Sequence, residues 1–176
     1  MLDVTTQFNK QDADYLLSHK FSTNNRMMQY RRINSTFFNE TFFVTEIEKS
    51  VRGYTCMQIF LFNKFFVEVY GMKPVKDFPQ AQLLFVKEVG APKALFLDPH
   101  RAHISKEMRS FSHKIGTALR VLEESTQNAN RAELYIRLLK DSIHKYLGGR
   151  NAPIKLWCYA TELQIQIFNL TVKHLF

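Results

Sequence analysis

The sequence predicts a single α/β domain built on a mixed sheet, and three observations carry that expectation. Three runs dense in β-branched and aromatic residues follow one another closely between Ser35 and Tyr70, as in an antiparallel meander. Helical and strand patterns then alternate to the end of the chain, which is the habit of α/β domains. A length of 176 residues suits one domain with a sizeable core.

Composition narrows the class. With 45% hydrophobic and 23% charged residues, disorder is excluded as a whole-chain description. The net charge of +8 favours polyanionic partners, nucleic acid first and acidic membrane second. Cys56 and Cys158 form no CxxC, so both read as small core residues of a reduced, intracellular protein. No run approaches the ~18 apolar residues of a membrane span, and the first residues lack the pattern of a secretory signal.

Residues 1–34 read as a lead-in arm, with Arg26, Arg31 and Arg32 making a small basic patch, and residues 35–176 as the domain. The first strand is expected over 35–48, with Glu40 inside it. Ser50 to Gly53 is a turn. Strands over 54–62 and 65–70 follow, joined by a two-residue hairpin at Asn63-Lys64. Asp77 and Pro79 start a helix that buries Ala81, Leu84, Phe85 and Val89, and Gly90 with Pro92 ends it. Residues 93–97, almost wholly apolar, suit a strand covered on both faces. Asp98 closes that strand, at the end where ligand chemistry gathers in open α/β sheets. A helix from Ser105 (Met108, Phe111, Ile115) and a fifth strand over 117–122 come next.

A long helix over 125–147 then carries an apolar stripe of Ile136, Leu139, Ile143 and Leu147. Glu133 stands on the line of that stripe, with Arg137 and Lys140 one and two turns beyond. A carboxylate at the margin of a buried face calls for a partner or a metal, because desolvating it bare is costly. Gly148-Gly149 stops this helix, and Pro153 opens a last amphipathic one through Trp157, Leu163 and Leu170.

This order of elements is similar to that of the ribonuclease H-like fold, a mixed five-stranded sheet flanked by helices. SVRGYTCMQIF, FVKEVGAP and NRAELYIRLLK resemble the integrase of Copia-type retrotransposons, over roughly residues 31–176. The resemblance implies a carboxylate triad of Glu40, Asp98 and Glu133, the last two 35 positions apart, holding two Mg²⁺ or Mn²⁺ ions about 4 Å apart. It implies phosphodiester cleavage and transfer of a 3′-hydroxyl end into DNA, with Arg137 and Lys140 on phosphate. It further implies element-end and target DNA as partners, a homo-oligomeric active form and action in the nucleus. The chain departs from the family in three places: Glu40 stands where the family has Asp, Asp98 precedes Pro99-His100 rather than Asn-Gly, and Gln127-Asn128-Ala129-Asn130 replaces the usual lead to the helical Glu. It reads as a catalytic core without the upstream zinc module or a C-terminal DNA-binding part.

Blander readings stand beside these. Taken alone, Glu133 is an i, i+4 partner of Arg137, worth a few tenths of a kcal/mol; Asp98 is a turn residue before Pro99; Glu40 is an exposed strand residue. His100 and His103 lack the second pair that a zinc site needs, and His113 and His144 read as surface residues. Two alternative functions follow: a binding-only remnant that keeps the basic face, and a ribonuclease H-type nuclease, whose fourth carboxylate would have to be Glu88.

Overall fold

The computed structural model describes residues 30–44, 49–62, 66–97, 105–122 and 131–175. Asp98, His100, His103, the Asn63-Lys64 turn, the expected first turn of the long helix over 125–130 and residues 1–29, with Arg26, lie outside the described residues. The strands are β1 (Arg32–Phe42), β2 (Cys56–Phe62), β3 (Phe66–Met72), β4 (Ala91–Leu97) and β5 (Ala118–Val121). The helices are α1 (Phe78–Glu88), α2 (Lys106–Lys114), α3 (Arg131–Gly148) and α4 (Trp157–Leu175).

The sheet runs β3-β2-β1-β4-β5. The first three strands are antiparallel, while β1–β4 and β4–β5 are parallel. The sheet is therefore mixed, with β1 at its centre, and α1 and α2 cover one face while α3 and α4 cover the other. Side chains alternate between those faces along each strand. Phe37, Phe60 and Leu95 enter the core under α1, where Phe60 stacks on Phe85 with ring centroids 4.2 Å apart. Ile59, Val67 and Phe42 enter the other core with Ile136, Leu139, Ile143 and the fully buried Trp157. The stripe read on the long helix is thus the face it buries.

Several boundaries differ from the sequence reading, two of them through long-range contacts. β1 begins at Arg32, three residues early. The Arg31 carbonyl accepts from the Ala91 amide at 2.7 Å, and the Arg32 guanidinium donates to the carbonyls of Ile115 and Gly116 at the end of α2. Arg32 is thus a clamp rather than part of a solvated arm. β4 begins at Ala91 and takes in Pro92, which lacks an N–H. The β1–β4 register shifts between Ile33 and Thr36, beside Pro92, so the proline sits where the ladder is already irregular. Gly90, at φ +130°, makes this approach feasible: a Cβ there would lie 2.6 Å from the Arg31 carbonyl oxygen. The last helix starts at Trp157, after a 3₁₀ turn over Ile154–Leu156.

Other local expectations match. Ser50 to Gly53 is a turn, with Gly53 N–H donating to the Ser50 carbonyl at 2.8 Å and Gly53 at φ +78°. Ser105 caps α2, its Oγ accepting from the Met108 amide at 3.2 Å. One expectation differs: Asp77, read as able to cap α1, stands at its N-cap position but makes no side-chain bond to the helix. Cys56 and Cys158 are buried free thiols. No helix among the described residues is long and apolar enough to cross a membrane.

Candidate metal and nucleic-acid site

The parity of β1 decides where Glu40 points. Phe38 and Phe42 pack toward α3, so Glu40, between them, shares their face, while Phe37 and Asn39 take the opposite one. α3 crosses this face with Ile136 and Leu139 turned into the core. Glu133 and Lys140, three or four residues from Ile136, fall along the same side of the helix, with Arg137 next to them. The result is a cleft of about 260 Å³ in which residues 40–43 of β1 and the strand end face Glu133, Arg137 and Lys140 of α3. Four of the five site residues read from the sequence meet there.

Asp98 lies outside the described residues. Leu97, which ends β4, pairs in parallel register with Asn39, and Glu40 is the next residue of β1. The acid on the central strand and the end of β4 thus belong to the same end of the sheet.

Two features of the sequence reading change. Glu133 is exposed rather than half-sunk in the apolar stripe, so desolvation does not oblige it to have a partner. What marks it out is its position across a cleft from a second carboxylate. Glu40, read in the blander account as an exposed strand residue, is partly buried, and its neighbour Asn39 is fully buried: the Asn39 Oδ1 accepts from Gln58 Nε2, and Gln58 Oε1 accepts from the Thr41 hydroxyl at 2.6 Å. This polar network ties β1 to β2 beneath the acid and stiffens the strand that carries it. Gln58, the one polar amide in the otherwise apolar β2, was its sequence signal.

Other packing steadies α3. Tyr135 meets the Phe168 ring edge-on at 4.9 Å, and burial pushes its phenol above the ordinary tyrosine range. On the opposite face of the sheet, the Tyr70 hydroxyl donates to Glu88 at 2.8 Å. Burial, and then Glu88, push the neighbouring Glu68 carboxyl up from its ordinary value. Glu88 therefore belongs to the α1–β3 contact and does not join Glu40 and Glu133. His113 and His144 are exposed on their helices, as read from the sequence.

The donor set suits a hard cation. Glu40 and Glu133 offer carboxylate oxygens to one open, water-accessible cleft, which fits Mg²⁺ or Mn²⁺ keeping water and phosphate oxygens in its shell. Among the described residues no three His, Cys, Asp or Glu side chains cluster as a complete metal cage. The neighbouring Arg137 and Lys140 add fixed positive charge suited to a phosphodiester.

No protein-family profile matches the chain, and no curated protein does. Solved structures do match. The chain is similar to a chain of the simian T-cell lymphotropic virus intasome in complex with the PP2A regulatory subunit B56 gamma, at 15% identity and a TM-score of 0.59, over 76% of this chain and 50% of that one. It thus spans about half the length of that intasome chain. It is also similar to the HTLV-2 integrase catalytic core domain in complex with magnesium. The trimeric form matches at 17% identity and TM-score 0.57, over 78% of this chain and 86% of that one. The dimeric form matches at 18% and 0.54, over 81% and 88%. The fold is the ribonuclease H-like fold of integrase catalytic cores.

Proposed function

We propose that this chain is an integrase catalytic core of the Copia-type retrotransposon class, which binds DNA and carries out metal-dependent phosphodiester cleavage and strand transfer. The observation that carries the reading is the cleft that brings Glu40 and Glu133 together, 93 positions apart in sequence, with Arg137 and Lys140 beside them. Glu40 and Glu133 would hold a divalent ion each, with Asp98 shared between the two. When bound, such ions lower the pKa of the attacking oxygen and stabilise the leaving one. Arg137 and Lys140 hold phosphate and orient the backbone for in-line attack. The exposure of Glu133 suits this role, since a metal carboxylate in an open cleft exchanges water for phosphate oxygens readily. The magnesium of the HTLV-2 cores and the intasome assembly of the simian viral relative agree in kind with such a reading.

The test is joining of a labelled 3′-hydroxyl DNA end to a second duplex with Mg²⁺ or Mn²⁺. Glu133→Gln and Asp98→Asn should each abolish joining, while calorimetry should show weaker Mn²⁺ binding with unchanged melting. Joining that continues undiminished in Asp98→Asn would sink the mechanism.

Glu40 itself favours a second reading, a remnant that binds DNA without chemistry. Glutamate extends the carboxylate by one methylene, and a displacement of ~1 Å can cost ~10²-fold in rate. On that reading Glu40→Asp raises joining from nothing to a measurable rate; equal activity of the two forms rules it out.

A further inference from the structure

A second cleft opens on the other face of the sheet, between α2 and the ends of β4 and β5. It measures about 370 Å³. Its apolar side is Leu97, Leu119 and Val121, and its helical wall presents Arg109 and His113, one turn apart and both exposed. Leu97 and Val121 are the last residues of parallel strands. The cleft therefore flanks the same sheet end as the Glu40–Glu133 cleft, one cleft on each face. α2 with its flank carries Lys106, Arg109, His113 and Lys114 against the single acid Glu107. Among the described residues the lining of this cleft holds no carboxylate.

A guanidinium with an imidazole beside it, above an apolar floor, matches a nucleotide unit, whose phosphate is anionic and whose sugar and base present flat, weakly polar surface. Resting on the integrase reading above, we propose that this cleft is a second DNA-backbone contact. Arg109 holds a phosphate with His113 beside it, and Leu119 and Val121 lie against the adjoining sugar. β5 stands two strands from β1, roughly 10 Å away across the sheet. Both clefts flank the sheet end where β1, β4 and β5 finish, so one DNA backbone can meet both. Such contacts fix the register of the DNA and carry no sequence preference.

The experiment is fluorescence anisotropy of a labelled DNA oligonucleotide with the full chain in EDTA, titrated between 0.05 and 0.3 M salt, with circular dichroism melting to verify folding. Each lost duplex phosphate contact lowers the salt slope by about 0.9, which at ~0.1 M salt is about eightfold in affinity. Arg109→Ala should show that loss, Arg109→Lys should keep most of the affinity, and His113→Ala should add a smaller one. Unchanged affinity in Arg109→Ala beside a loss in an Arg137→Ala/Lys140→Ala variant overturns this inference and leaves the integrase reading standing. No loss in either set overturns both. An equal loss of affinity for a polyglutamate peptide makes the cleft an acidic-peptide site and overturns the proposal as well.

Discussion

The edge of the sheet offers the most direct quantitative test. β3 is the outermost strand, and the backbone of Val67 on its open side is not left to water. The Val67 amide donates to Asn169 Oδ1 at 3.0 Å, and Asn169 Nδ2 donates to the Val67 carbonyl at 2.8 Å. One carboxamide from α4, 102 positions away, stands in for a sixth strand and blunts an edge that would otherwise template pairing. Asn169→Leu removes both bonds and leaves two polar groups of a residue that is 0% exposed without partners. At about 1–3 kcal/mol for each buried orphan, partly relieved by water, the expected cost is roughly 2–4 kcal/mol. For a domain of this size that is a fall of roughly 5–15 °C in Tm. Asn169→Asp separates the two bonds: the carboxylate still accepts from the amide but faces the carbonyl with a second oxygen. Protonation restores a donor, so the folded state holds the proton more tightly than the unfolded chain. Stability of the Asp variant should therefore recover as pH falls toward and below the ordinary carboxylate range. Urea denaturation followed by far-UV circular dichroism, at pH 7 and pH 4, measures both. If both variants fall within about 0.5 kcal/mol of the parent at pH 7, the clamp contributes nothing and the reasoning fails.

Two further outcomes are expected. Gly71→Ala should destabilise by about 1–3 kcal/mol, because the added Cβ would stand 2.4 Å from the Tyr54 ring; a double-mutant cycle with Tyr54→Ala should return most of that loss as coupling. Glu68→Gln should raise Tm at neutral pH. Burial and Glu88 push the Glu68 carboxyl above its ordinary 4.5, so the folded state binds the extra proton and parent stability falls as pH rises through that window. The gain from Glu68→Gln should shrink as pH drops toward 4.5, and a constant gain across pH 4–8 would contradict the assignment.

Much of the fold was legible because its signals are local. Ile136, Leu139, Ile143 and Leu147 recur at helical spacing, and all four are buried. Ser105 before a helix and Gly53 in a turn act through their own backbone neighbours. The apolar run ending at Leu97 reads as a strand because both of its faces are covered. Arg32, Pro92 and Asn169 resisted because each acts on a residue 25 or more positions away. Arg32 was read as part of a basic arm and Pro92 as a helix stop, each being the commonest local meaning of its residue type.

The candidate site divides along the same line. Residue types and spacing alone determined that Glu133 lies on a helix three residues before a buried stripe, with Arg137 and Lys140 in its following turns. They also placed Glu40 in a strand. They could not determine which sheet face Glu40 takes, because a slip of one residue reverses every side chain on a strand. That was decided by the pairing of Glu40 with Ile59 on β2 and of Asn39 with Leu97 on β4. Both pairings are set by which phenylalanines must be buried under α1 and which under α3. Hydrogen-bond register across the sheet turned a strand acid and a helix acid into one cleft.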